Sequence, residues 1–122
     1  MSVRLVFCLR RLPELTQEEF LAYWRDHHAP LVRERAAAIR ARRYEQSHPL
    51  DVPAAAVVAG VRKAPEPFDG IASLWFDSVE DLEAGAATAE GRRAARELLE
   101  DERNFIDLER SPIWFVEDHR EV

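Results

Sequence analysis

The sequence predicts an α+β fold of the ferredoxin-like type, a four-stranded antiparallel sheet with both helices on one face. Short runs rich in β-branched and aromatic residues lie near the beginning, in the middle and near the end of the chain. Two of the segments between them start with helix-capping patterns. With a further strand after the first helix, the order is β-α-β-β-α-β.

The first strand is predicted at residues 3–9, which read Val-Arg-Leu-Val-Phe-Cys-Leu and precede a turn at Pro13. A helix then begins at about residue 17, because Thr16 and Glu19 have the spacing of a capping box. One helical stripe collects the apolar and aromatic side chains. Its members are Phe20, Trp24, His27 and Leu31.

Pro30 lies inside this helical pattern. Proline has no amide hydrogen to donate to the carbonyl of Asp26, and its ring crowds that carbonyl. We therefore expect the helix to kink or change character over residues 26–30, next to His27 and His28.

The second strand is harder to place, because residues 31–43 favour a helix by propensity. The segment from Tyr44 to Pro49 reads as extended and ends in proline. We expect the helix to end near Ala37 and the strand to cover about residues 39–48, a placement that rests mainly on the family resemblance described below. Residues 51–69 read as a loop with a short helix at 54–58.

The third strand is predicted at residues 70–77, and Ser78 caps the helix that follows it. That helix is interrupted around Gly85–Gly91 and resumes over residues 92–101. The last strand is predicted at residues 111–117. The apolar stripe of the resumed helix is Ala95, Leu98 and Leu99.

Apolar residues lie on both faces of the predicted sheet. In the third strand Leu74 and Phe76 point to one face, and Ile71 and Trp75 point to the other. Because helices cover one face only, the other face needs a second cover, and the simplest is the same face of another copy. We therefore expect a homodimer that closes two sheets into a barrel. A small-molecule pocket is expected between each sheet and the kinked helix.

Composition argues against several classes of protein. The chain has 122 residues, 47% of them hydrophobic, which indicates one globular domain over residues 1–122. A net charge of −6 argues against nucleic acid or an anionic membrane as the main partner. Neither a signal peptide nor an apolar run of membrane-spanning length is visible, so a cytoplasmic protein is expected.

Metal and disulfide chemistry is not expected. A single cysteine, Cys8, excludes an internal disulfide framework and a multi-cysteine metal cluster. The adjacent side chains of His27 and His28 point about 100° apart on a helix, which is poor geometry for binding one metal ion together.

Three segments resemble the EthD family. The first, Leu15–Val32, contains a threonine-capped helix, a Tyr-Trp pair and the sequence His-Ala-Pro-Leu. The second, Tyr44-Glu-Gln-Ser-His48, resembles the family's second-strand pattern, and the acid-rich 101–107 resembles its late segment. The resemblance runs from about residue 4 to residue 119. It implies a dimeric α+β barrel and, by likeness to oxidoreductases and to cofactor-free dehydratases, an oxidoreductase or lyase that uses no cofactor.

Histidines are the first candidates for chemistry. His28, beside the proline, is the expected general acid or base, because imidazole takes and gives a proton near neutral pH. His48 shares strand parity with Tyr44 and Gln46, and the three are expected to line the pocket. Asp107 is the candidate for orienting a histidine. The alternative roles are a carbonyl cap for His28, a solvated strand end for His48 and a turn cap for Asp107.

Aromatic side chains are candidates for the wall of the pocket. Trp24, Trp75 and Trp114 would suit an aromatic ligand, and their alternative role is packing in the core or in a dimer interface.

The leading hypothesis is a cofactor-independent enzyme that acts on a small cyclic or aromatic apolar metabolite through proton transfer by His28. The first alternative is a non-catalytic protein that binds a small molecule on the same dimer. The second is a haem-binding barrel with His28 or His48 as the axial ligand.

Overall fold

The computed structural model describes residues 3–122 and contains a four-stranded antiparallel sheet in the order β2-β3-β1-β4. This is the ferredoxin-like arrangement, so the predicted fold class is confirmed. The strands, in chain order, are β1 (Val3–Leu9), β2 (Arg43–Ser47), β3 (Gly70–Phe76) and β4 (Ile113–Val116).

The helices follow the predicted order. A short helix inside the β2–β3 connection and a 3₁₀ turn at Leu108–Arg110 add to the basic fold. The helices are α1 (Gln17–Tyr23), α2 (Ala29–Arg35), α3 (Pro53–Gly60), α4 (Val79–Ala87) and α5 (Ala89–Glu102), with a π-helical turn (Trp24–His28) joining α1 to α2.

The capping box predicted before α1 is present in full. The Thr16 side-chain oxygen accepts a hydrogen bond from the Glu19 amide at 3.1 Å, and the Thr16 amide donates to Glu19 Oε1 at 2.9 Å. Both groups satisfy amide hydrogens that the first helical turn leaves unpaired. The start of the helix is therefore fixed by local sequence.

The strand register gives the sheet two distinct faces. Leu5 lies opposite Leu74 and points towards the helices, and this side is called the inner face below. Val6, opposite Ser73 and Trp114, points to the outer face. The core lies between the inner face and the helices. Its most deeply buried side chains are Leu9, Phe20, Trp24 and Phe105.

The change of helix character near Pro30 takes the form of the π-helical turn. The Ala29 amide donates to the Trp24 carbonyl five residues earlier, and α2 then begins with Pro30 in its first turn. Because a π turn holds about one residue more than an α turn, His28 rather than His27 follows Phe20 and Trp24 on the buried face of the helix. The helix is therefore continuous through the proline.

The predicted stripe past Trp24 is wrong by one residue. His28 and Val32 are buried, whereas the side chain of His27 is 63% exposed and Leu31 is only partly buried. The extra residue in the π turn shifts every later position on the helix. The periodicity of a regular α-helix could not include this shift.

The segment after α2 turns earlier than expected. The helix ends at Arg35, and β2 covers five residues of the expected 39–48. Arg40 has a φ of 63°, in the left-handed region, and the chain joins the sheet directly after it, where the Arg42 amide donates to the Trp75 carbonyl and the β2–β3 register begins at Arg43.

The break between α4 and α5 lies at Thr88, within the predicted interval. Thr88 is extended, and its side-chain oxygen accepts a hydrogen bond from the Gly91 amide at 2.9 Å. A Cβ on Gly91 would overlap the carbonyl oxygen of Gly85, so only glycine permits this close approach of the two helices.

The buried face of α5 is also offset from the predicted stripe. Gly91, Ala94, Leu98 and Asp101 are buried, whereas Ala95 and Leu99 are exposed. The side of α5 that faces the sheet therefore ends in the acidic residues Asp101 and Glu102. Within residues 3–122, none of the helices has the length and apolar character needed to cross a membrane.

Candidate functional site

A cavity of about 60 Å³ lies between the inner face of the sheet and the helices, and it is partly open to solvent. All four strands contribute to its wall, together with the π turn, α2 and α5. Most lining side chains are aliphatic or aromatic. The polar side chains that line it are His28, Tyr44 and Glu102.

His28 lies in the wall of this cavity and is only 5% exposed. Its Nδ1 is 2.7 Å from Oδ2 of Asp101, which lies near the end of α5. Among the described residues Nε2 has no hydrogen-bond partner. Residues 73 positions apart in the chain thus form a buried imidazole–carboxylate pair with one nitrogen left for a ligand.

Asp101 is the centre of a small network of donors. Its Oδ1 accepts a hydrogen bond from the Tyr23 hydroxyl at 2.6 Å, and the largely exposed His27 places Nδ1 3.4 Å from the same oxygen. Burial alone would raise the pKa of Asp101, but the hydrogen bonds from Tyr23 and His28 outweigh it and lower the pKa below its usual value. The carboxylate is therefore charged at neutral pH.

The charge state of His28 follows from two opposing effects. Burial lowers the pKa of His28 below 6.5, and the hydrogen bond and charge of Asp101 offset this only in part. The imidazole is therefore neutral at pH 7. Since an ionised carboxylate only accepts hydrogen bonds, the proton of the neutral ring lies on Nδ1 and the Nε2 lone pair is free.

A second network connects β2 to the π turn. The Gln46 side-chain amide donates to the Trp24 carbonyl at 2.9 Å and to the Tyr44 hydroxyl at 2.7 Å. Its Oε1 is 2.8 Å from Nε2 of His48, whose ring stacks on Trp24 with centroids 4.6 Å apart. The Trp24 carbonyl also accepts the π-turn hydrogen bond, so this network supports the turn that positions His28.

Tyr44 presents a hydroxyl donor to the cavity. Burial raises the pKa of Tyr44 to about 12, so the phenol stays protonated throughout the neutral range. Its oxygen already accepts the hydrogen bond from Gln46, and among the described residues its proton has no acceptor. The hydroxyl hydrogen is therefore available to a ligand oxygen.

Glu102, the last residue of α5, contributes a carboxyl group to the same cavity. Burial, together with the negative charge of Asp101, raises the pKa of Glu102 to about 7. Its carboxyl makes no hydrogen bond or ion pair with any residue in the range 3–122. The pKa values of these two adjacent carboxyl groups are thus shifted in opposite directions, because Asp101 has donors around it and Glu102 does not.

Five of the predicted site residues lie at the cavity or directly beside it. His28, Trp24 and Tyr44 line the cavity together, and Gln46 and His48 stand behind Trp24 and Tyr44. The side chains of Tyr44 and Gln46 in β2 thus point towards the helices, on the inner face of the sheet.

Trp75 and Trp114 are not part of this cavity. Trp75 pairs with Arg4 in the sheet and lies between the guanidinium groups of Arg4 and Arg43, and Trp114 is 46% exposed opposite Val6. Both belong to the outer face. The prediction that they share a pocket wall with Trp24 is wrong, because strand register places them on the opposite side of the sheet.

The prediction that Asp107 orients a histidine is also wrong. Its carboxylate is 4.0 Å from Arg110, and within residues 3–122 no histidine forms an ion pair with it. Its amide donates to the Arg10 carbonyl, and its own carbonyl accepts from Ser111. Asp107 thus belongs to the turn before β4, and Asp101 orients His28.

Asp101 and Glu102 were missed because an acidic segment at a helix end is typically solvated. The spacing of Ala94, Leu98 and Asp101 is nevertheless helical, and extending the buried stripe by one turn places Asp101 on the inner face. No local pattern marks Glu102, since its burial depends on the strands beneath it.

Comparison with known proteins gives one family. The model of the EthD domain matches residues 12–109, which include the π turn, β2 and both acidic residues at the end of α5. No curated protein matches the sequence.

Solved structures with the same fold are distant in sequence. An ethyl tert-butyl ether D (EthD) family protein from Bacillus halodurans is 20% identical with a TM-score of 0.63, and 98% of this chain and 100% of that one are covered. A dimeric protein of ferredoxin-like fold from Bacteroides fragilis is 14% identical, with a TM-score of 0.58 and 96% of each chain covered. A variant of SnoaB, a cofactor-independent oxygenase from Streptomyces nogalater, is 12% identical, with a TM-score of 0.54 and 99% and 96% covered.

Proposed function

This chain belongs to the EthD domain family, and from that premise we propose that it is a cofactor-independent enzyme acting on a small cyclic or aromatic apolar metabolite by proton transfer. One observation carries the proposal: His28 lines an apolar cavity with Nδ1 held by Asp101 and with an Nε2 that has no partner among the described residues. The cofactor-independent oxygenase among the structural neighbours supports it at the level of the fold.

His28 acts as the base. Nε2 takes a proton from a carbon next to a carbonyl group, and the imidazolium that forms is stabilised by the Asp101 carboxylate 2.7 Å from Nδ1. Because Asp101 also accepts from Tyr23, its orientation is fixed before the substrate arrives. This arrangement keeps the basic nitrogen directed at the reacting carbon.

Tyr44 stabilises the negative charge that develops on the substrate oxygen. Its free hydroxyl hydrogen donates to the carbonyl oxygen as the enolate forms, and Gln46 holds the phenol in position from behind. The apolar walls strengthen this hydrogen bond by excluding water.

The cavity selects the reacting end of the substrate. At about 60 Å³ it encloses a few atoms, and its open side lets the remainder of a ring extend outwards. The surrounding aliphatic side chains favour an uncharged molecule, because a charged group would lose its hydration there.

The test uses cyclohexanone as a probe in deuterated water. The wild-type protein is expected to accelerate exchange of the protons next to the carbonyl, followed by proton NMR, and His28→Gln is expected to lower that rate at least 100-fold. His27→Gln is the matched control, because His27 is exposed beside the same carboxylate and does not line the cavity.

Two outcomes would count against this mechanism. Equal exchange rates for the wild type and His28→Gln would remove His28 from the chemistry. Thermal stabilisation by cyclohexanone with no exchange at all would favour a non-catalytic binding protein, the alternative to which the apolar cavity is equally suited.

Haem does not fit this cavity. A porphyrin is many times larger than the enclosed 60 Å³, and Nε2 of His48 is 2.8 Å from Gln46 while its ring face stacks on Trp24. Within residues 3–122 no three His, Cys, Asp or Glu side chains are grouped as ligands for a metal ion.

We also propose that two copies of the chain pair through the outer face of the sheet. Ile71 is 39% exposed and Trp114 is 46% exposed on this face, and a structural neighbour is described as dimeric. Sedimentation of the wild type is expected to give a dimer, and Trp114→Glu is expected to give a monomer. A wild type that sediments as a monomer at micromolar concentration would contradict the pairing.

A further inference from the structure

Glu102 is a cavity residue for which the mechanism above has no use. Glu102 lines the same cavity as His28 and Tyr44, and its carboxyl forms no hydrogen bond or ion pair with the described residues. A carboxyl group without donors, among apolar side chains, is a group that keeps its proton.

The position of Glu102 at the end of α5 adds to this effect. Its carbonyl accepts hydrogen bonds from the amides of Phe105 and Ile106 at 3.2 and 2.8 Å, which holds the residue at the helix C-terminus. The C-terminal end of a helix disfavours negative charge. Asp101, which is charged and adjacent, disfavours a second negative charge as well.

We propose that Glu102 is the general acid of this site, and that the site removes water from a carbonyl compound that carries a hydroxyl group on the second carbon from the carbonyl. The proposal rests on the proposed function, because it pairs Glu102 with His28 as the base. A basic and an acidic group in one cavity are what such an elimination requires.

The roles of the two donors differ for a chemical reason. A carbonyl oxygen that becomes an enolate needs only a hydrogen bond, which the Tyr44 hydroxyl supplies. A departing hydroxyl group needs a whole proton, because hydroxide is a poor leaving group. Glu102 gives up its proton far more readily than the phenol of Tyr44.

The reaction balances without an oxidant, a reductant or a cofactor. Nε2 of His28 removes the proton from the carbon between the carbonyl and the hydroxyl-bearing carbon. The electron pair of that C–H bond forms the new C=C bond, the C–O bond breaks, and Glu102 protonates the leaving oxygen to give water. A proton then returns from His28 to Glu102 through solvent at the cavity opening.

The test compares two reactions in the same variants. The first is the exchange of protons beside the carbonyl of cyclohexanone, which needs only the base and Tyr44. The second is conversion of 3-hydroxycyclohexanone to cyclohexenone, followed by ultraviolet absorbance. Glu102→Gln is expected to lower the ratio of the elimination rate to the exchange rate at least 100-fold.

Two further variants complete the design. Glu100→Gln changes an exposed glutamate on the same helix and is expected to leave both reactions unchanged. Glu102→Asp keeps an acid at the position and is expected to recover part of the elimination. If Glu102→Gln loses its native near-ultraviolet circular dichroism, the assignment is decided by the aspartate variant.

The pH dependence gives an independent measurement. Wild-type elimination is expected to fall as pH rises above about 7, because Glu102 loses its proton, and Glu102→Gln is expected to lack that decline. If exchange depends on His28 but the wild type and Glu102→Gln eliminate water at equal rates, the role of Glu102 is overturned and the proposed function stands. Exchange without any elimination also overturns it, whereas absence of both reactions overturns the proposed function.

Discussion

Replacing Glu102 by glutamine is expected to stabilise the protein at alkaline pH. Burial raises the pKa of Glu102 from 4.5 to about 7, so the folded protein holds a proton that the unfolded chain releases. A raised folded-state pKa means that stability is highest below pH 4.5 and is lost as pH rises through 7. Glutamine, which has nearly the same shape and no charge, removes this loss.

The size of the effect follows from the two pKa values. At about 1.36 kcal/mol for each pH unit, a pKa raised from 4.5 to about 7 corresponds to about 3 kcal/mol at high pH. The unfolded chain already releases part of this proton at pH 5, so about 2.5 kcal/mol develops between pH 5 and pH 8. Solvent at the cavity opening screens the charge, and we expect about 2 kcal/mol.

Urea unfolding of wild type and Glu102→Gln at pH 5 and pH 8 measures this difference. The variant should gain about 2 kcal/mol over the wild type on going from pH 5 to pH 8. Glu100→Gln, on the exposed face of the same helix, should show no such gain. A stability difference that is the same at both pH values would refute the burial of an unpaired carboxyl in this cavity.

Two other substitutions test the surroundings of the site. Asp101→Asn should lower the exchange rate at least tenfold and lower the pKa of His28 further, as followed by NMR titration, and should cost about 2 kcal/mol of stability. Gly70→Ala should cost about 1–3 kcal/mol in urea unfolding, because its Cβ would overlap the Trp24 ring, whereas Gly60→Ala, which meets no atom within 4 Å, should not destabilise.

Local sequence patterns predict the fold well because their physical causes are local. Thr16 and Glu19 fix the start of α1 through hydrogen bonds that span three residues. The alternation in 70–76 fixes which side chains of β3 share a face. The effect of Pro30 was also predictable in kind, because the missing amide and the crowded carbonyl lie within one turn.

The pairing of side chains across the site has a different cause. Asp101 and Asp107 are both acidic residues near the end of one segment, and only the path of α5 over the sheet puts Asp101 beside His28. Trp75 was predicted to line the pocket, although the alternation of side chains along β3 puts it on the other face of the sheet from Leu74. The helices cover one face of the sheet, and only strand residues whose side chains point to that face line the cavity.

The sequence by itself determined the order of the strands and helices, their caps and the place where the first helix changes character, because these depend on neighbours within a turn. Only the tertiary structure decided that His28 and not His27 enters the core, that Asp101 holds it, and that burial raises the pKa of Glu102 to about 7. Each of these depends on the extra residue in the π turn or on contacts between segments about 70 residues apart in the chain.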